Sequence, residues 1–197
     1  MNHVIVYAHP NPSSFNHAIV DALRQSLQDQ GASVVMRDLY ALGFNPVLTG
    51  GDLSQIVAGN TPKDIAEEQK HISWADVVSF IYPLWWTGMP AIMKGYIDRV
   101  FTFGFAYTAN ESGIVKLLSG KKAIIISTQG TPASVYEAKG MFDALKKTND
   151  VGIFDFVGMK VIQHLFLDSV TTVDDADRQE MLGKVKGIAS SLMSTSR

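Results

Sequence analysis

Cysteine is absent from the chain. That single absence excludes disulfides, cysteine nucleophiles, thiolate zinc sites and cysteine-ligated iron–sulfur clusters together, and it fits a reducing compartment. Neither charge sign is in excess: 17 Lys and Arg against 19 Asp and Glu leave a net charge of −2. No global basic field is therefore available to hold a nucleic-acid backbone. No uninterrupted apolar run reaches membrane-spanning length. A strand-like run at residues 3–8 begins almost at Met1, leaving no room for a signal peptide. Repeats, low-complexity stretches and linker-like composition breaks are missing too. The expectation is a cytoplasmic protein with one domain over residues 1–197, binding no nucleic acid or metal and not inserted stably in a membrane.

What is present is an alternation of short apolar runs with longer amphipathic ones. The apolar runs cover residues 4–8, 33–36, 77–82, 123–127 and 161–167. Most are apolar at consecutive positions, as in strands buried on both faces of a parallel sheet. Helical spacing runs over 15–30, where Ala18, Ile19, Ala22, Leu23 and Leu27 form one stripe ending at Gly31. It recurs over 62–74, with Thr61 as N-cap and Pro62 at the first helical position, and over 90–101, 136–148 and 174–193. Five βα units predict an α/β three-layer sandwich, a parallel sheet with helices on both faces. Two long connections, 39–60 and 104–120, break the alternation and are predicted to be ordered and functional.

In an open α/β sheet, ligands bind outside the carboxyl ends of the strands, so the turns after the first, third and fourth runs are the places to read. The first turn, His9-Pro10-Asn11-Pro12-Ser13-Ser14-Phe15-Asn16, has no glycine and is neither a dinucleotide fingerprint nor a P-loop. Ser13, Ser14 and Asn16 at a helix start can still surround an anion, or simply cap the helix. The third-strand turn holds Trp85 and Trp86 beside Gly88. Flat aromatics there suit a planar heterocycle, the simpler alternative being that both indoles cap the core. Ser127-Thr128-Gln129-Gly130-Thr131-Pro132 offers hydroxyls and amides after the fourth strand, or is an ordinary polar loop.

Together these turns resemble the NAD(P)H:quinone oxidoreductases of the DT-diaphorase type, within the flavodoxin-like superfamily. The resemblance is carried by Ala8-His9, Ser14-Phe15-Asn16, Asp38-Leu39-Tyr40, Phe44-Asn45-Pro46 and Ile65-Ala66-Glu67-Glu68-Gln69-Lys70. It continues through Pro83-Leu84-Trp85-Trp86-Thr87-Gly88-Met89-Pro90-Ala91, Lys94-Gly95, Arg99-Val100-Phe101 and Gly104-Phe105-Ala106-Tyr107, nearly the whole chain in the family's order. The resemblance implies the flavodoxin-like strand order 2-1-3-4-5. It also implies a flavin at the carboxyl edge, FAD with FMN as the alternative. His9, Ser14, Phe15, Asn16 and Ala18 would surround its phosphate or pyrophosphate. Pro83, Leu84, Trp85, Trp86 and Thr87 would line the isoalloxazine. Ser127, Thr128, Gln129, Gly130 and Tyr136 would hold its polar edge, and Arg178 would contact an adenine half.

By the same resemblance, hydride passes from NAD(P)H to flavin N5 and on to a quinone, or an azo or nitro acceptor, in a ping-pong cycle. Tyr136, Gln129 and Gly130 are the catalytic candidates, Tyr136 donating to the anionic reduced flavin. Trp86, Tyr107 and Phe156 would bound the substrate slot, the last two from a partner copy, which implies a homodimer. Three departures stand out. Phe142 occupies the place of the family's histidine six residues after Tyr136. Gln129 and Pro132 stand in a turn that is glycine-rich in the mammalian members. The loop over 49–61 is shorter than theirs. Two other classes stay open: an ancillary regulatory flavoprotein of a potassium-efflux-type transporter, and a flavodoxin-like electron carrier. Of the remaining histidines, His71 pairs in sequence with Glu67 as a solvated helical face, His164 reads as a satisfied core or edge residue, and His17 as surface. Asp174, Asp175 and Asp177 complement a helix dipole.

Overall fold

A computed structural model describes residues 1–194, with side chains through residue 192. The chain runs β1 (Asn2–Tyr7), α1 (Phe15–Asp29), β2 (Ser33–Asp38), α2 (Gly50–Val57), α3 (Lys63–Trp74), β3 (Val77–Pro83) and α4 (Ala91–Val100). It continues through β4 (Tyr107–Asn110), β5 (Gly113–Lys116), β6 (Lys122–Thr128), α5 (Ala133–Ala138) and α6 (Met141–Lys146). A π-helical segment, Lys147–Asp155, then leads to β7 (Lys160–Leu167) and α7 (Asp175–Ser194).

The five long strands form one parallel sheet in the order β2-β1-β3-β6-β7. Counting only these strands, that is 2-1-3-4-5, as the resemblance implies. The alternate side chains of β1 divide the core. Val4 and Val6 enter one cluster with α3 and α4, through Ile72, Met93, Tyr96 and Val100. Ile5 and Tyr7 enter the other with α1 and α7, through Ile19, Leu23, Val185 and Ala189. β3 is buried along its whole length, the burial its consecutive apolar residues require.

The structure corrects several expected boundaries. Gly140, at φ 65°, breaks the helix expected over 136–148 into α5 and α6. Helix α3 starts at Lys63, with Pro62 outside it and no side-chain cap, so Thr61 does not act as N-cap. His17, expected at the surface, is partly buried with its ring edge against Tyr7. Ser14 does cap α1, accepting from the His17 amide at 3.2 Å.

The long connections are both ordered. The 104–120 stretch forms the β4–β5 hairpin. In the 39–60 stretch, Thr49 and Asp52 form a capping box that starts α2. The buried Arg99 guanidinium then fixes it: Nε lies 3.3 Å and Nη1 2.6 Å from Asp52 Oδ2 and Asp64 Oδ2, and Nη1 reaches Asn45 O at 2.9 Å. Hydrogen bonds from Thr49 and Arg99 hold the Asp52 carboxyl below its usual range. Pro46 packs so closely on Gly95 that a Cβ there would lie 2.2 Å from Pro46 O.

His3 is wholly buried on β1, its Nε2 2.8 Å from Ser79 Oγ. Burial lowers its pKa from 6.5 to about 4. Between those values the unfolded chain binds a proton that the folded chain refuses, so stability falls as pH drops from 6.5 towards 4 and is level above. The expected loss is about 3 kcal/mol. Urea unfolding at pH 7 and pH 4 should show it in the parent and not in His3→Gln, whose amide keeps a partner for Ser79.

Candidate functional site

With strand order 2-1-3, the connections leaving β1 and β3 diverge to opposite sides, which opens a crevice at their carboxyl ends. A cleft of about 410 Å³ lies there. It is lined by His9, Ser14, Phe15 and Asn16 after β1, Pro83, Leu84 and Trp85 after β3, and Thr128, Gln129 and Gly130 after β6. Val170 and Thr171, after β7, complete the wall. These two were missed in the sequence, although the same rule applied to the turn after the fifth strand would have found them. None of the lining residues is Lys, Arg, Asp or Glu.

The β1 turn is held by its own polar groups. The Asn11 amide donates to His9 Nδ1 at 3.0 Å, the Ser13 amide to Asn11 Oδ1 at 2.9 Å, and the Ser14 amide to Asn11 O at 3.1 Å. Nδ1 also lies 3.1 Å from the Asn11 carbonyl, so the His9 ring is held against the Asn11 backbone. Tyr7 Oη lies 3.2 Å from Ser14 Oγ, and burial raises the Tyr7 hydroxyl's pKa. With Ser14 capping the His17 amide, the first amides of α1, those of Phe15 and Asn16, have no intrahelical carbonyl to meet. They form an anion-binding end.

Across the cleft, Asn16 Nδ2 donates to Thr128 Oγ1 at 2.7 Å, tying α1 to β6. Leu84 N donates to Thr128 O at 2.7 Å and Gln129 N to Leu167 O at 2.9 Å, so the floor is continuous. Gln129 Nε2 donates to Thr131 O. Two buried acceptors, Asn16 Oδ1 and Gln129 Oε1, are left without a partner among the described residues. Gly130 lets the backbone approach Thr171, whose Oγ1 would sit 3.2 Å from an added Cβ.

The 85–88 turn closes on itself, Trp85 and Gly88 exchanging two 3.1 Å amide–carbonyl bonds. Trp86 and Thr87 both stand in the left-handed region, at φ 52° and 55°. Trp85 lines the cleft beside His9, whereas Trp86 is fully exposed. Thr87 Oγ1 is 3.3 Å from Tyr136 Oη. The Tyr136 ring packs on Phe142, Phe142 on Phe166, and Phe166 on His164, whose Nδ1 meets Asp150 at 2.7 Å.

Other expected residues are not on the cleft lining. Ala18 is one turn inside α1, its amide bonded to Ser14 O. Ser127 is wholly buried beneath Thr128, its Oγ without a partner among the described residues. Arg178 bonds Asp175 and Val170 O, bracing the wall at Val170. Tyr107 and Phe156 come together edge to face at 5.1 Å, with Phe103 on Tyr107's other side. His71 and Glu67 pair at 3.6 Å on α3.

A turn with two left-handed residues favours Asn-Gly, so Trp86-Thr87 carries strain of about 1–2 kcal/mol. The double substitution Trp86→Asn/Thr87→Gly is expected to raise the unfolding free energy of the ligand-free protein by about that amount. A chemical denaturation midpoint no higher than the parent's would contradict the strain.

Comparison with known proteins places this geometry in context. A family model described as a flavodoxin-like fold matches residues 1–188. The chain is 37% identical over 183 residues to an uncharacterized NAD(P)H oxidoreductase of Haemophilus influenzae, covering 92% of this chain and 91% of that one. It is 32% identical over 201 residues to NAD(P)H dehydrogenase [quinone] 1 of Rattus norvegicus, covering 91% and 73%. The solved NAD(P)H:quinone oxidoreductase from Methanothermobacter marburgensis superposes with a TM-score of 0.85 at 29% identity, covering 98% of each chain. With sheet order, crevice and sequence in agreement, the chain belongs to the NAD(P)H:quinone oxidoreductase family of the flavodoxin-like fold.

Proposed function

We propose that the protein is a flavin-dependent NAD(P)H:quinone oxidoreductase, built as a single flavin-binding domain and working in the cytoplasm. The observation that carries the reading is the uncharged cleft at the crevice, with the free amides of α1 at one end and unpartnered acceptors inside it. A flavin fits that donor set. Its phosphate matches the α1 amides and the Ser14 hydroxyl, with the His9 ring beside them. Its ring N–H matches an acceptor such as Gln129 Oε1, which burial without a partner otherwise makes costly. When bound, the flavin supplies two-electron hydride transfer, taking from NAD(P)H and giving to a quinone, azo or nitro acceptor in turn.

The chain's own residues then have distinct tasks. Leu84 and Trp85 provide an apolar wall that excludes water from one ring face. The backbone at Gly130 lies close to the cleft because no side chain intervenes. Tyr136, steadied by Phe142 and Thr87, is the donor to negative charge developing on the polar edge. FAD is the proposed form, with Arg178 facing the adenine half, and FMN is the alternative. Phe103 and Phe156 are exposed around Tyr107. An apolar patch of that kind suits a second copy of the chain, giving a homodimer in which Tyr107 and Phe156 cover the partner's slot.

The test is the visible absorption of the purified protein before and after anaerobic NADPH. The expected result is a bound yellow flavin that bleaches directly to the two-electron state and recovers on adding a quinone. A protein that takes up neither FAD nor FMN would overturn the reading. Tyr136→Phe is expected to retain flavin and lose about tenfold or more in kcat, the scale on which a single donor to a developing anion acts.

A further inference from the structure

A second cavity, about 600 Å³, lies apart from the cleft at the carboxyl edge. It is a groove between β7, the sheet's edge strand, and the second half of α7. Its three lysines are Lys122, Lys160 and Lys184. Lys122 and Lys160 begin their strands, so the charged end of the groove lies at the opposite end of the sheet from the candidate site. At about 3.3 Å per residue those lysines are about 20 Å from the carboxyl ends of their strands.

A sequence irregularity opens the groove. The β6–β7 register pairs Ala123 with Val161 but Ile124 with Gln163, so Ile162 is an extra residue. The resulting bulge bends the edge strand and turns Ile162 towards the α1/α7 side of the sheet, where Leu165 also packs. Ile162, Leu165, Ile188 and Leu192 give the groove an apolar floor. The 184–192 stretch of α7 that walls it rises about 12 Å at 1.5 Å per residue, room for an extended medium-chain acyl group.

The charge at one end is uncompensated. Lys122 and Lys160 are direct cross-strand partners, and like charges placed opposite each other on a sheet repel. Neither has a carboxylate within ion-pair distance among the described residues. Lys184 does reach Glu180, at 2.8 Å. In a chain whose net charge is −2, two adjacent lysines above an apolar trough form a local seat for an anion with a hydrophobic tail. The volume lies within the range of small-molecule sites.

We propose that this groove binds a medium-chain fatty carboxylate, its head between Lys122 and Lys160 and its tail along Ile162, Leu165, Ile188 and Leu192. The site is independent of the flavin cleft and of the reaction proposed there.

The test is titration calorimetry of the purified full-length protein, carrying whatever flavin it holds, with decanoate below its micellar concentration. Decanol is the uncharged control. The expected result is saturable one-to-one binding of decanoate, with decanol at least tenfold weaker. In Lys122→Gln/Lys160→Gln, two changes at strand starts that belong to neither core cluster, decanoate affinity should fall about tenfold while the visible spectrum is unchanged, since a charge-assisted contact is worth that factor. Equal affinity for decanol would overturn the anion seat. Unaltered decanoate affinity in the double variant would overturn the location. Association only with anionic lipid vesicles, with no binding of free decanoate, would overturn the proposal in favour of a membrane surface.

Discussion

The interior strands of a parallel sheet covered on both faces have to satisfy their backbone within the ladder, because no water reaches them. Irregular chain is therefore pushed to the strand ends, and the crevice between β1 and β3 is where that pressure leaves a space. Every polar feature of the candidate site follows from it. The α1 amides lack carbonyl partners because the helix begins there, and Asn16 is buried because α1 must lie against the sheet. The Asn16–Thr128 hydrogen bond then joins the first helix to the fourth sheet strand across the opening. The cleft is thus bounded by groups that the fold itself holds still.

On the α3/α4 side of this frame, buried arginines add to the apolar contacts. Arg99 gathers Asp52, Asp64 and the Asn45 carbonyl, and Arg37 pairs with Glu68, which also accepts from Tyr96 Oη at 3.2 Å. Removing one partner from such a cluster costs more than the pair contributes, since a charge is left desolvated. Both clusters sit on the α3/α4 side, where Leu39 and Phe44 anchor the start of the 39–60 stretch in the core while Leu42, Val47, Leu53 and Val57 beyond them stay exposed. The α1/α7 side has no comparable loop, and its cover is almost wholly hydrophobic.

The strands were legible because two-sided burial makes their residues consecutively apolar, and the turns after β1, β3 and β6 because sheet topology says where ligands go. Other features were hidden for physical reasons. Helix α2 opens on Gly50 and Gly51, poor helix formers, and exists through the Thr49–Asp52 box and Arg99, a partner 47 residues away. Gly140 reads as tolerable inside a helix until its left-handed φ is known. Adjacent Trp85 and Trp86 are indistinguishable as letters. Only the handedness of the 85–88 turn decides which indole faces the cleft and which faces solvent. Ser127 lies wholly buried beneath Thr128, a burial that follows from its place on a strand covered on both faces.

The π-helical segment has a consequence for how the chain can vary. Phe154 points inwards, 4.7 Å from Phe80, while Phe156 meets Tyr107 at the surface. Asp150, in the same segment, meets His164. A wider helical turn lets all three directions coexist within seven residues. Deleting one residue upstream would rotate everything after it by about 100° at 3.6 residues per turn, turning Phe154 away from Phe80. Val151 and Gly152 are exposed and open to substitution, but the segment's length is fixed. It acts as a phase setter, free in composition only at Val151 and Gly152 and rigid in count.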